Sequence, residues 1–203
     1  MANTKTEKKR YLALAQTITL ITTPAIVGSL TLFYTLYYFS PSLEIFYKTF
    51  FSVLVLSIIM PVLFIFFLMK KGHIGNFHMK ERKDRVLPFG FTLISGIISL
   101  LIIKYLENDP ELLKMFLIFF LMALGYSVIT FLKFKPSGHV FVFASAVLAL
   151  AFFIDTRFAY SLILIAPIGW ARVYMKEHTL GEVAGAGIYA LFSFWAFSML
   201  ISA

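Results

Sequence analysis

The chain contains no cysteine, little charge and few acidic residues. Without cysteine there are no disulfides, no thiolate metal sites and no cysteine nucleophile. Only 14% of the 203 residues are charged and 60% are hydrophobic, which excludes a soluble globular domain, because too little polar surface is left to coat one. Ten acidic residues face eighteen basic ones, for a formal charge of +8. The bases are dispersed among apolar segments with no aromatic stacking platform, so the excess argues for a membrane surface and against nucleic acid.

What the chain has instead is apolar length. A crossing takes about 20 mostly apolar residues. Runs broken by charge or proline lie at 11–39, 47–69, 88–106, 112–132, 139–154, 157–174 and 179–201. They predict an all-α, polytopic transmembrane helical bundle of about six to seven spans, forming one integral membrane domain over residues 1–203. The charged opening MANTKTEKKR suits a signal peptide, but the apolar stretch from Tyr11 to Phe39 is too long for one and carries no small-residue cleavage site. It reads as a first membrane helix kinked at Pro24. The fifth and sixth runs are short and are expected to start inside a hydrated pocket. No repeat or low-complexity tract occurs. With no room for a soluble domain, any chemistry belongs to helix ends and short loops.

Loops alternate sides. With a cytoplasmic N-terminus, fourteen Lys and Arg residues fall inside, and only Lys48, Lys104, Lys114 and Arg157 outside, together with Glu44, Glu107, Asp109, Glu111 and Asp155. The positive-inside rule therefore favours that orientation.

Three polar constellations interrupt the apolar runs: Lys80 to Pro88 (KERKDRVLP), Lys135 to His139 (KPSGH) and Ala171 to Val183 (ARVYMKEHTLGEV). Two spans separate each from the next, so all three share one membrane face. Several Lys and Arg side chains neutralise and orient a phosphate, Arg in bidentate fashion. Pro136-Ser137-Gly138 turns the backbone so that amides and a hydroxyl face one anion at a helix N-terminus. Two histidines supply a nucleophile and a proton donor. His178 and Glu182 are four apart, which on a helix places them on one face, the carboxylate fixing the ring tautomer.

PSGH followed by R-x5-H-x3-acid resembles the type 2 phosphatidic acid phosphatase (PAP2) superfamily of integral membrane lipid phosphatases, over about residues 80–190. The resemblance implies hydrolysis of a phosphorylated lipid without metal or cofactor, through a phosphohistidine. It implies His178 as nucleophile, Glu182 as its orienting partner and His139 as the acid that protonates the leaving oxygen. Lys80, Arg82, Arg85, Ser137, Gly138 and Arg172 are implied to hold the phosphoryl group. The first motif of the family has Arg directly before Pro and Lys seven residues earlier. Here Arg85 lies three before Pro88 and position 78 is His. Ala171 stands where Ser is usual and Glu182 where Asp is usual, the extra methylene lengthening the reach to His178.

The substrates implied are phosphatidic acid, phosphatidylglycerol phosphate or an isoprenyl phosphate or diphosphate, entering sideways from the surrounding lipid. A transferase passing the phosphoryl or phosphatidyl group to an alcohol is a close variant, and a non-catalytic transporter of lipid phosphate or other anions is the competing class. His73 and His78 read as interfacial, and Lys70, Lys71, Lys83 and Lys176 as topology or lipid-headgroup anchors. Gly181, Gly185 and Gly187 read as a close helix-packing face.

Overall fold

The computed structural model describes residues 2–75, 79, 83–132 and 134–202, the side chains of 2–5 and 202 excepted. Among them every regular element is helical and no strand occurs. Nine α-helices follow in order: α1 Ala2–Ile21, α2 Pro24–Phe39, α3 Leu43–Leu54, α4 Met60–Lys70, α5 Val86–Leu106, α6 Pro110–Phe131, α7 Gly138–Phe153, α8 Ile165–Tyr174 and α9 Leu180–Ser202. The described residues belong to two compact units, Met1–Gly28 with Phe134–Ala203, and Ser29–Lys133.

Four helical stretches are long and apolar enough to cross a membrane: Leu43–Lys70, Lys83–Leu106, Pro110–Phe131 and Leu180–Ile201. A fifth crossing is formed if α1 and α2 are one span, bent by 42° between Ile21 and Pro24. The chain is therefore an all-helical protein with four or five candidate membrane spans, fewer long ones than the apolar runs suggested. The bend falls where the sequence places it. Pro24 has no N–H to continue α1, and its fixed φ suits the first position of a new helix, while the Thr23 hydroxyl accepts from Ile26 N at 3.4 Å.

The run at 157–174 is where length fails. It divides into a nine-residue 3-10 helix, Thr156–Leu164, and the ten-residue α8. Asp155 starts the first piece by accepting from Arg157 N at 2.9 Å. Pro167 forbids the α-helical bond to Ile163, and it sits in the first turn of α8, where a missing N–H costs nothing. The run at 139–154 becomes α7, whose sixteen residues reach only about 24 Å at 1.5 Å per residue. Eight of the sixteen are buried, so α7 is the central helix of its unit.

Close contacts hold that unit together. A Cβ on Gly169 would lie 2.6 Å from Val183 Cγ1, and one on Gly185 2.4 Å from the Phe134 ring. Gly185 is thus a packing position as expected, whereas a Cβ on Gly181 would meet nothing closer than 4.0 Å. Helix α1 lies on α8: the Tyr11 and Trp170 rings are 6.5 Å apart, and Thr19 Oγ1 donates to Met175 Sδ at 3.4 Å. Tyr174 leans back over Trp170, ring centroids 5.3 Å apart, to reach the Lys8 carbonyl at 3.4 Å.

In the second unit α3 and α4 form one rod through a π-turn at Val55–Ile59. The widened turn precedes Pro61, whose ring would otherwise meet the Ser57 carbonyl four residues back. Ser57 and Ser99 of α5 share a hydroxyl hydrogen bond of 2.7 Å. Leu32, Leu36, Phe46, Val53, Ile103 and Leu112 form the core. Asp109 begins α6 by accepting from Leu112 N at 2.8 Å, with Pro110 in the first turn.

Candidate functional site

The second and third constellations meet in the first unit, and backbone geometry brings them there. Helix α8 ends with Lys176 in the left-handed region, φ 56°. Lys176 N donates to Val173 O at 2.9 Å and Glu177 N to Arg172 O at 3.1 Å, the pair of bonds of a Schellman motif. His178 N adds a second bond to Arg172 O, at 3.3 Å. Five residues between Arg172 and His178 are thus the length of one helix terminus folded back on its own last turn.

The next residues start α9. Thr179 Oγ1 accepts from Glu182 N at 3.2 Å, and Glu182 Oε2 accepts from Thr179 N at 2.9 Å. This is a capping box, T-x-x-E, in which Glu is the usual partner. The same Oε2 lies 3.1 Å from His178 Nδ1. His178 precedes the helix, so the pairing does not come from a shared helical face as the spacing suggested. It comes from a capping glutamate whose extra methylene lets it serve backbone and imidazole at once. Nδ1 is engaged and Nε2 is left for a ligand, with the side chain only 7% exposed. Burial, reinforced by Lys135 and Arg172 and opposed by Glu182, lowers the imidazole from its ordinary 6.5 to about 4. The ring is neutral at physiological pH.

The PSGH turn is tied to this corner by Ser137 N donating to Glu182 O at 3.2 Å. Ser137 occupies the N-cap of α7, yet its hydroxyl makes no capping bond. Its Oγ is fully buried without a partner. Phe141 N takes the Ser137 carbonyl, so the amides of the first turn of α7 have no acceptor within their own helix. Arg172, 3% exposed, also leaves Nε and Nη1 without partners. Buried donors in that state are rare in folded proteins and costly, by about 1–3 kcal/mol each and more when charged. Lys135 Nζ reaches the Glu177 carbonyl at 3.4 Å. His139 is buried in the first turn of α7, beside Ser137 and Gly138.

The unit therefore assembles Ser137, Gly138, His139, Arg172, His178 and Glu182 around two helix N-termini. Arg85 belongs to the second unit, where it is 6% exposed and donates from Nε to the Met79 carbonyl at 3.0 Å. Lys80 and Arg82, like His78, lie outside the described residues. Lys135, which the sequence reading placed in the second constellation without a role of its own, bears on His178. One participant was missed. Thr179 is the cap, and T-x-x-E before an apolar run announces it. Among the described residues no group of three or more His, Cys, Asp or Glu side chains is placed to hold a metal.

No family model, no curated protein and no solved structure matches the chain.

Proposed function

We propose that this corner is the active site of a membrane phosphatase acting on a phosphorylated lipid. One observation carries the reading. Ser137 Oγ and two nitrogens of Arg172 are buried donors with no acceptor, in the same corner as a histidine whose other ring nitrogen is held by a carboxylate. A phosphate monoester supplies the acceptors these groups lack, and the held imidazole supplies a lone pair to attack phosphorus.

In the proposed reaction His178 Nε2 forms a bond to phosphorus as the bond to the lipid oxygen breaks, and His139 gives that oxygen its proton. Glu182 stabilises the cationic ring of the phosphohistidine. Water, deprotonated by His139, then attacks phosphorus, releasing inorganic phosphate and restoring both histidines. Arg172, Lys135 and the amides of the first turn of α7 offset the charge on the equatorial oxygens. The resemblance also implies phosphate-holding roles for Lys80, Arg82 and Arg85, and a bundle of six to seven crossings with the family's core. Phosphatidic acid, phosphatidylglycerol phosphate and isoprenyl phosphates share the chemistry required. Detergent-solubilised protein is expected to release phosphate from such a lipid with EDTA present. Absence of release across the panel, or loss of release on chelation, counts against the reading.

The excess of bases on the loops that carry the motifs favours a cytoplasmic site. Gly181 and Tyr160 are exposed and report on it. In intact cells a cysteine at Gly181 is expected to resist an impermeant thiol reagent and one at Tyr160 to react. The reverse pattern places the site outside.

A further inference from the structure

The second unit buries a carboxylate that the proposed chemistry does not use. Glu107, at the end of α5, is 6% exposed. One oxygen, Oε1, accepts from the Ser40 hydroxyl at 3.0 Å. The other, Oε2, is buried and has no partner. No Lys or Arg among the described residues pairs with Glu107, and Lys104, three residues before it, points to the surface.

The surroundings add negative charge. Ser40 directly follows α2, which ends at Phe39, and its N–H takes only the Leu36 carbonyl, at 2.8 Å. The carbonyls of the last turns of α2 and α5 therefore bring two negative helix ends to the carboxylate. Leu36 and Ile103, one turn back from Ser40 and Glu107, belong to one apolar core with Phe46 and Leu112. Two more oxygens of the unit are buried without partners, Thr35 Oγ1 and Thr49 Oγ1. A buried carboxylate lacking a counter-charge is strongly unfavourable.

We propose that Glu107 and Ser40, with the last-turn carbonyls of α2, bind a monovalent alkali cation, sodium by preference. One carboxylate balances one unit charge, and hydroxyl and carbonyl oxygens complete the shell. Calcium draws more carboxylates than this site offers, and magnesium demands octahedral geometry and retains water. In secondary transporters, half-helix C-termini and unwound backbone carbonyls coordinate sodium. The site is independent of the phosphatase reading.

The test is thermal unfolding of the full-length protein in detergent, comparing sodium chloride with N-methyl-D-glucamine chloride at equal ionic strength. Sodium is expected to raise the midpoint saturably, as a ligand of the folded state does. Glu107→Gln should melt at one temperature in both salts, and Ser40→Ala should raise the half-saturating sodium concentration about tenfold. Equal midpoints for wild type in the two salts overturn the proposal and leave a water molecule as the occupant. A sodium shift that survives Glu107→Gln also overturns it, as does a response to calcium alone. If Glu107→Gln does not fold, Ser40→Ala decides, and an unchanged half-saturation overturns the assignment.

Discussion

The two units bury polar atoms of opposite need. In the first the unpartnered groups are donors, Ser137 Oγ at the N-cap of α7 and Arg172 Nε and Nη1 in the last turn of α8. In the second the unpartnered group at the helix ends is an acceptor, Glu107 Oε2, set where α2 and α5 finish. Helix N-termini carry partial positive charge and C-termini partial negative charge. At the first junction Arg172 adds positive charge while Glu182 caps the start of α9, and at the second Glu107 adds a carboxylate to two negative helix ends. Under the two proposals the first junction receives an anion and the second a cation.

His178→Ala gives the sharpest test of the first junction. Loss of the nucleophile is expected to cut phosphate release by at least about 10³-fold. The donors survive, so inorganic phosphate or vanadate should still raise the unfolding midpoint. Arg172→Ala should abolish that shift as well. Turnover comparable to wild type in His178→Ala would remove the anion junction's chemistry, while a preserved phosphate shift in Arg172→Ala would remove its binding role.

Glu182 does two jobs, and substitution separates them. Gln keeps a side-chain oxygen for the capping box but loses the charge that stabilises an imidazolium. Glu182→Gln is therefore expected to slow turnover roughly 10- to 10⁴-fold with little change in unfolding. Thr179→Ala removes the cap and should cost about 1 kcal/mol of stability. Equal stability losses in the two variants would mean that Glu182 is a capping residue alone.

These roles show how far the sequence can be read. The His178 and Glu182 pairing was legible from spacing, although the spacing argument invoked a helical face and the fold uses a helix start. The five residues after Arg172 were legible only as a motif. Their cause, a Schellman turn, was hidden because Lys176 occupies the position where glycine is the usual signal. Apolar length located the stretches at Leu43–Lys70, Lys83–Leu106, Pro110–Phe131 and Leu180–Ile201. It could not tell that 157–174 begins as a 3-10 helix, since hydrophobicity does not distinguish the two pitches. Glu107 was counted only as acidity in a loop. Its burial depends on Ser40, 67 residues away in sequence, and no local pattern reports such a contact.

The acid side of the pH profile sharpens the contrast further. An unhindered imidazole near 6.5 would lose its nucleophilic lone pair below that pH, but burial and two cations hold His178 neutral down to about 4. The acidic limb of kcat/KM attributable to His178 should lie near 4. Stability follows the same displacement. Between about 4 and 6.5 the unfolded chain binds a proton at this residue that the folded one does not, so folding weakens as pH falls through that window. The contribution is fully present above 6.5. His178→Asn should flatten this part of the unfolding curve. An acidic limb near 6.5 would show that the ring is more solvated than its burial indicates.

The smallest expected effect concerns the turn that sets the Arg172 to His178 spacing. Lys176 holds φ at 56°, where a side chain crowds its own backbone and glycine does not. Its side chain is exposed, and its N–H, bonded to Val173 O, survives replacement. Lys176→Gly is therefore expected to stabilise the protein slightly, by about 0.5–1 kcal/mol, the relief of strain being partly offset by the greater freedom of glycine when unfolded. Turnover should be unchanged, because neither the carbonyl of Arg172 nor the backbone of His178 needs to move. Unfolding midpoints and initial rates measured on the same preparations decide it. A rate that falls while stability rises would mean that the Lys176 ammonium takes part in holding the anion, and would enlarge the set of donors at the first junction by one.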